Sequence, residues 1–450
     1  MHSSFWKLIV LIAAVSAFGL LAAPAADETA DDSAPPAKEK GGKAPPDPTA
    51  PLGGDKTLPN YQATAAPANI GLTPATQPPT DTQVFGEPRN SVGHPNTLLD
   101  KEDIDALKKG LATNAEEKSA FDRLKVNADK KLGEDFGVPI AQKAADGSWM
   151  YPGDMPGITK LGDVSQNNAT AMTQLGMMYQ LTGDEKYGEY AKKMLLAYAD
   201  GFYHWGHPEG WTPSKYRSAF DGRLTSQFLE DGGTLIEYAY DYDMVASLPS
   251  WTLAERAHMR DDLFKNIVAM FIAPEIGKTN YLDSENNRSA ICAAGTLMAG
   301  YACEDQDLIN LALYGRGGTK EAPTGGTLKV HFGETGIFPD GLWIEGAPAY
   351  QLGIASDALF DTSETLWHHG IDMYRFRGGL MKRLLDSGIA LAYPDDQMTV
   401  ADLHDSGQLQ LAGSNGGLSV PYECGYRRYR DPNYLPIIEN KAVTHSLSIG

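Results

Sequence analysis

Three segments hold residues whose types and spacing could do acid-base or carboxylate chemistry. The run GIFPDGLWIEGAPAYQ, from Gly336 to Gln351, spends five positions on Gly and Pro and delivers Glu345 and Tyr350 at the entrance of a helix. Such a run fixes backbone geometry, although Trp343 and Tyr350 could equally be core aromatics of a helix-entry loop. The run SENNRS, Ser284 to Ser289, opens a helix rich in small residues. Asn286 and Asn287 there could be simple caps, but a helix N-terminus also carries the positive partial charge that suits a carboxylate ligand. The run MTVADLHDSG, Met398 to Gly407, sets His404 between Asp402 and Asp405. Neighbouring carboxylates raise the basicity of a His and orient its ring, whereas a His alone in a polar loop is simply solvated. His368 with His369, and His204 with His207 around Trp205, lack metal-site spacing, so no metal ligands are expected in the chain. No G-x-S-x-G, H-E-x-x-H, Walker A or C-x-x-C pattern is present, which leaves acid-base chemistry as the default.

The elements that must position these residues are helical. Asp100 can cap a first helix with Ile104, Leu107 and Leu111 on one face, and a second carries Phe121, Leu124, Ala128 and Leu132. Met172, Leu175 and Tyr179 line a third. Beyond a turn at 181–184, Tyr187, Ala191, Met194, Leu195 and Tyr198 line the next. A helix is expected over Leu224 to Met244, and a capping box at Thr252 and Glu255 opens one that buries Leu263, Phe264, Ile267, Val268 and Phe271. The small-residue helix spans Asn287 to Ala302, and two more cover Gln351 to His369 and Ile371 to Ala392, after a Gly-rich connection from Gly315 to Ala349. Without a fixed repeat period, paired helices of unequal length fit an all-α, incomplete (α/α) toroid better than a repeat solenoid. Residues 393–450 loosen into a loop-rich junction expected to lead into β structure, continuing past Gly450.

Composition bounds the rest. Residues 1–26 carry Lys7, an apolar run from Leu8 to Leu21 and an A-x-A-like end, as expected for a secretory signal peptide and a secreted or periplasmic location. The run is too short to span a bilayer, and no later stretch is long enough. Residues 27–93 hold 12 of the 28 Pro between Asp27 and Val92 and are expected to form a disordered tether. The toroid is expected over 94–392. Cys292 and Cys303 lie ~16 Å apart on one helix, so free thiols are expected. A net charge of −20 argues against nucleic acid. An anionic polymer would need a locally favourable cleft.

The run from His94 to Asp103, the pair 181–187 and 195–199, Arg223 to Gln227 with Ala239 to Asp241, Asn286 with Asn287, and Pro339 to Tyr350 occur in the order found in the alginate lyase and heparinase II/III-like polysaccharide lyases, which this chain resembles over most of residues 94 to 410. The resemblance implies a toroid followed by an antiparallel β-sandwich that is mostly missing from this chain, and β-elimination on a uronic-acid polysaccharide. Asn287 falls where the family neutralises the carboxylate, Tyr350 where it places a catalytic Tyr, and His404 near a His at the toroid-sandwich junction. Asn286, Arg288, Trp343 and Glu345 become candidate substrate-binding residues. Arg288 stands where alginate lyases typically have His. Arg cannot be a base near neutral pH but pairs well with a carboxylate, so the base role passes to His404 or Tyr350. The chemistry requires no cofactor, and any structural metal would belong to a C-terminal domain outside this chain. The alternatives are a noncatalytic glycan-binding toroid and a glycoside hydrolase on the same scaffold, the latter needing two carboxylates such as Glu345 and Asp340.

Overall fold

The computed structural model describes residues 83–158, 161–206, 222–225, 228–272, 282–395, 397–403, 409–412 and 419–438. Helices begin where short polar side chains can take up the first free N–H groups. Asp100 accepts from Asp103 N to open α1 (Lys101–Thr113), and Asn114 opens α2 (Ala115–Lys131). Next come α3 (Leu161–Thr182), α4 (Glu185–Phe202) and α5 (Phe228–Val245). The expected capping box at Thr252 and Glu255 starts α6 (Leu253–His258), which runs through a π-helical turn (Met259–Phe264) into α7 (Lys265–Ile272). The small-residue helix α8 (Asn287–Ala302) has the anticipated bounds, and α9 (Gln306–Tyr314) returns from it. The short α10 (Gly326–Lys329) and α11 (Pro348–Tyr350) follow, and a π turn (Gln351–Ala355) joins α11 to α12 (Ser356–His368). Then come α13 (Leu380–Ala390), a minimal hairpin of β1 (Thr399–Val400) with β2 (Leu409–Gln410), α14 (Ser419–Tyr429) and α15 (Leu435–Ile438).

Cross-contacts fix the direction of the helices. Ser165 near the start of α3 donates to Leu224 O just before α5, and Gln180 near the end of α3 donates to Met244 O near the end of α5. α5 and α8 run parallel, since Gly232 lies against Ile291 and Gly295 against Leu235. A Cβ on Gly295 would sit 2.9 Å from Gly232 O, so close approach of these two helices requires glycine. The almost wholly buried α5, α8 and α12 are inner helices, and α4, α7 and α9 return antiparallel outside them. The result is an all-α toroid with two rims. One gathers the N-termini of α3, α5, α8 and α11. The other gathers residues 94–103, Asp243, Glu304 and His368.

Three sequence expectations change. Residues 83–93 belong to the folded body and not to the tether: Phe85 N donates to Arg428 O at 2.7 Å, Arg89 N to Trp367 O at 2.7 Å and Ser91 N to His368 O at 2.8 Å. This stretch has little apolar content because its order comes from backbone bonds to distant helix ends. The helix expected over Ile371 to Ala392 begins only at Leu380, because Arg377, Gly378 and Gly379 take positive φ values of 47°, 67° and 81°. The helical body also continues past residue 392: α14 packs on α12 and α13. Cys292, Cys303 and Cys424 are free thiols as expected. Among the described residues no helix is long and apolar enough to cross a membrane. The leader and most of the expected tether lie outside the described residues.

Asp100, Asp103 and His368 form a cluster with ligand-type atoms within 4.8 Å of one another. Arginines already neutralise it. Arg89 reaches Asp100 at 2.9 Å and Asp103 at 2.8 Å, and Arg427 reaches Asp103 at 2.9 Å. His369 stacks on Tyr301 with ring centroids 3.7 Å apart.

Candidate active site

The segment from Gly336 to Tyr350 folds as the Gly and Pro positions demand. Ile337 pairs with Trp343 across a turn in which Gly341 has φ 92°. Gln351 pins this hairpin: its Oε1 accepts from Trp343 N at 3.1 Å, and its Nε2 donates to Ser387 Oγ at 2.7 Å and Leu384 O at 3.1 Å. The chain then enters α11 with Pro348 in the first turn and Tyr350, half-buried, at its end, leading straight into a π turn. Such turns disturb helix regularity, often at functional positions.

The hairpin brings Glu345 to the first turn of α8. Its carboxylate accepts from Asn287 N at 2.7 Å, from Asn287 Nδ2 at 3.0 Å and from the Trp343 indole N–H at 2.7 Å. Asn287 is 5% exposed, so its carboxamide is locked in one orientation. Beside it Arg288 is half-buried and its guanidinium has no ion pair among the described residues. Asn287, Glu345 and Trp343 thus meet on the rim where the N-termini of the inner helices converge, with Arg288 next to Asn287 in the chain and Tyr350 five residues beyond Glu345.

Three of the candidate substrate-binding residues have structural partners. Asn286 is the N-cap of α8, its side chain accepting from Ser289 N at 2.9 Å. Trp343 is 1% exposed with its N–H committed, so it supports the site from beneath. Glu345 spends its carboxylate on Asn287 and Trp343, where it would repel a second carboxylate. Asp340 lies exposed at the hairpin turn, accepting from Leu342 N at 3.1 Å. His404 lies outside the described residues; the strand leading to it folds back onto Ala392 through Val400.

Two supporting residues had no sequence signal. His331 is fully buried under α8, with Nε2 2.9 Å from Ser289 Oγ and Nδ1 3.1 Å from Thr327 Oγ1. Burial pushes its pKa down to about 4, which keeps the ring neutral. Gln351 is the other. On the neighbouring helix, Asp231 takes the N–H groups of Arg223, Leu224 and Thr225 and so shapes the entry to α5. Burial raises its pKa to about 6 against those donors.

The model of the family described as alginate lyase matches residues 145–394, more than half of the sequence, and the chain belongs to that family. It is 29% identical over 230 residues to an alginate lyase of Stenotrophomonas maltophilia, covering 51% of this chain and 29% of that protein. It is 27% identical over 274 residues to an exo-oligoalginate lyase of Saccharophagus degradans, covering 61% of this chain and 33% of that one. The chain therefore spans about a third of the length of these curated relatives. The crystal structure of an alginate lyase from Bacteroides ovatus superposes with a TM-score of 0.53 at 15% identity, over 79% of this chain and 100% of that one, which shows the shared fold.

Proposed function

We propose that this protein cleaves a uronic-acid polysaccharide by β-elimination, with the uronate carboxylate received at the first turn of α8. The observation that carries this reading is Arg288, a half-buried cation with no acidic partner among the described residues, next to an Asn287 amide held rigid by Glu345. On a chain of net charge −20, a polyanion needs such a local reversal of field. The helix N-termini on this rim add to it.

Neutralising the carboxylate makes the proton on the adjacent C5 removable. A base takes that proton, the electron pair forms the C4–C5 double bond, and the C4–O4 bond breaks as O4 is protonated. Tyr350 is assigned the proton to O4, and Tyr350 or His404 the base role. A tyrosine can act as base only when positive neighbours favour its phenolate. These steps use side chains alone. The relatives' names make alginate the first substrate to try, and the leader sequence fits action outside the cytoplasm.

The test is ultraviolet absorbance of the unsaturated product on alginate, heparan, chondroitin and hyaluronan. At least one polymer should yield product, and Tyr350→Phe should cut turnover by roughly 10²-fold or more while leaving binding intact. Binding without product from any of the four, unchanged by Tyr350→Phe, would establish the noncatalytic reading.

A further inference from the structure

A second cluster on the same rim takes no part in the chemistry above. Residues 142–150 form a tight hairpin in which Lys143 and Trp149 are directly opposed, with Ala144 N donating to Ser148 O at 2.8 Å and Met150 N to Gln142 O at 2.8 Å. Opposed residues present their side chains on one face. The Lys143 ammonium lies 4.8 Å from the Trp149 ring centroid, and the His204 ring lies 4.7 Å from it at 32°. Tyr203 completes the group, edge-on to His204 at 5.0 Å.

The hairpin is anchored firmly. Gly206 N donates to Met150 O at 2.9 Å and Trp205 Nε1 to Pro139 O at 3.2 Å, and a Cβ at position 206 would collide with the Trp149 carbonyl. Yet Trp149 is 40% and Tyr203 41% exposed, while Lys143 and His204 are exposed as well. Rigid aromatic surface left in water beside two basic groups is not core packing.

We propose that Lys143, Trp149, Tyr203 and His204 form a distal binding surface for the same anionic polysaccharide, an inference that rests on the uronate reading of the Asn287 site. Aromatic faces suit the apolar faces of sugar rings, and the ammonium and imidazole suit their carboxylates. The position fits a polymer that continues beyond the Asn287 site. Tyr203 and His204 follow the end of α4, and α4 packs on α5, which packs on α8. Arg223 ties the two regions together, donating to Phe202 O at 2.9 Å while its backbone N–H binds Asp231 at the start of α5. Two helix-to-helix steps of roughly 8–10 Å separate the surface from Asn287. A long chain can touch both places, and a short oligosaccharide only one.

The experiment uses the full chain carrying Trp149→Ala with Tyr203→Ala. In an otherwise native background, KM for long alginate should rise roughly five- to tenfold, with kcat and the cleavage of short oligosaccharides unchanged. Affinity electrophoresis through alginate, in a Tyr350→Phe background that cannot cut the gel, should show a matching loss of retardation. A neutral glucan should give no retardation in either protein. Unchanged retardation, or equal loss on short and long substrates, would overturn the proposal. If the surface residues govern retardation but no unsaturated product ever forms, the binding surface stands and the lyase assignment falls.

Discussion

The Glu345 carboxylate gathers three donors, two of them from Asn287, which makes it a positioning residue for Asn287. Replacing it by Gln keeps the shape, but Oε2 takes all three donors and Oε1 only the Asn287 amide, so the new amide N–H groups would face the Asn287 Nδ2 donors. Leaving a buried donor unmet costs about 1–3 kcal/mol. Glu345→Gln should therefore lower kcat roughly tenfold through a loosened Asn287, and KM should stay level or fall, because a negative charge near the polyanion has been removed. Asn287→Ala should cost more, on the order of 10²–10³ in kcat, as expected for losing a preorganised donor. Kinetics on both single variants and the double variant decide the matter. If Glu345 acts through Asn287, the second substitution adds little to the first. A large rise in KM on Glu345→Gln alone would instead make Glu345 a direct substrate contact.

Helix α5 carries a stability cost that a pH titration can expose. Glu237 and Asp241 lie one turn apart, 5% and 0% exposed, and Asp241 has one acceptor met by Thr173 Oγ1 at 2.6 Å and the other unpartnered. Burial first, and for Glu237 repulsion from Asp241, drives both pKa values well above the carboxylate range. The native state thus binds protons that the unfolded chain has released, so this contribution is favourable only at low pH and is lost as pH rises toward the raised pKa. Asp241→Asn keeps the acceptor for Thr173 and cannot ionise. Its melting temperature should exceed the native protein's by a few degrees at about pH 8, with the gap narrowing at about pH 5. Equal melting temperatures at both would show that the pair is already relieved. The same helix shows what periodicity can reveal. Its existence, the capping box at Thr252 and the bounds of α8 follow from local signals, because caps and apolar spacing act within one or two turns. The support of the site was hidden for the opposite reason. His331 meets Ser289 across 42 positions and Gln351 meets Ser387 across 36, so no local pattern marks them. Asn287, Tyr350 and Arg288 could be picked out by type, but that Glu345 serves Asn287 needs the hairpin in place.

Across the whole molecule, the rim opposite the candidate site is closed by one buried ionic network that binds the two ends of the described chain together. Glu364 receives Arg428 Nε at 2.8 Å, Arg428 Nη2 at 2.5 Å and Arg427 Nη1 at 3.3 Å, and also accepts from the Tyr374 hydroxyl. Arg427 spans to Asp103 at 2.9 Å, and Arg89 joins from the N-terminal segment at 2.8 Å. Burial opposes ionisation of Asp103, yet Arg427, His368 and Arg89 hold its carboxyl far below the usual range. Arg428 also lies 4.0 Å over the Trp367 ring, so it contributes packing as well as charge. Removing Arg428 leaves the buried Glu364 charge with only Arg427 and the Tyr374 hydroxyl, at a cost of up to about 3–5 kcal/mol. Arg428→Ala should lower the urea midpoint accordingly and speed proteolysis within residues 83–93, whose Phe85 N–H bonds to the Arg428 carbonyl. The site should not notice. From Tyr350 to His368 the helix rises roughly 27 Å, so kcat/KM measured well below the melting temperature should match the native protein. A stability loss under 1 kcal/mol would mean that water replaces Arg428 easily and that α14 only rests against the toroid. A fall in kcat/KM at full foldedness would mean that the two rims are coupled through α12.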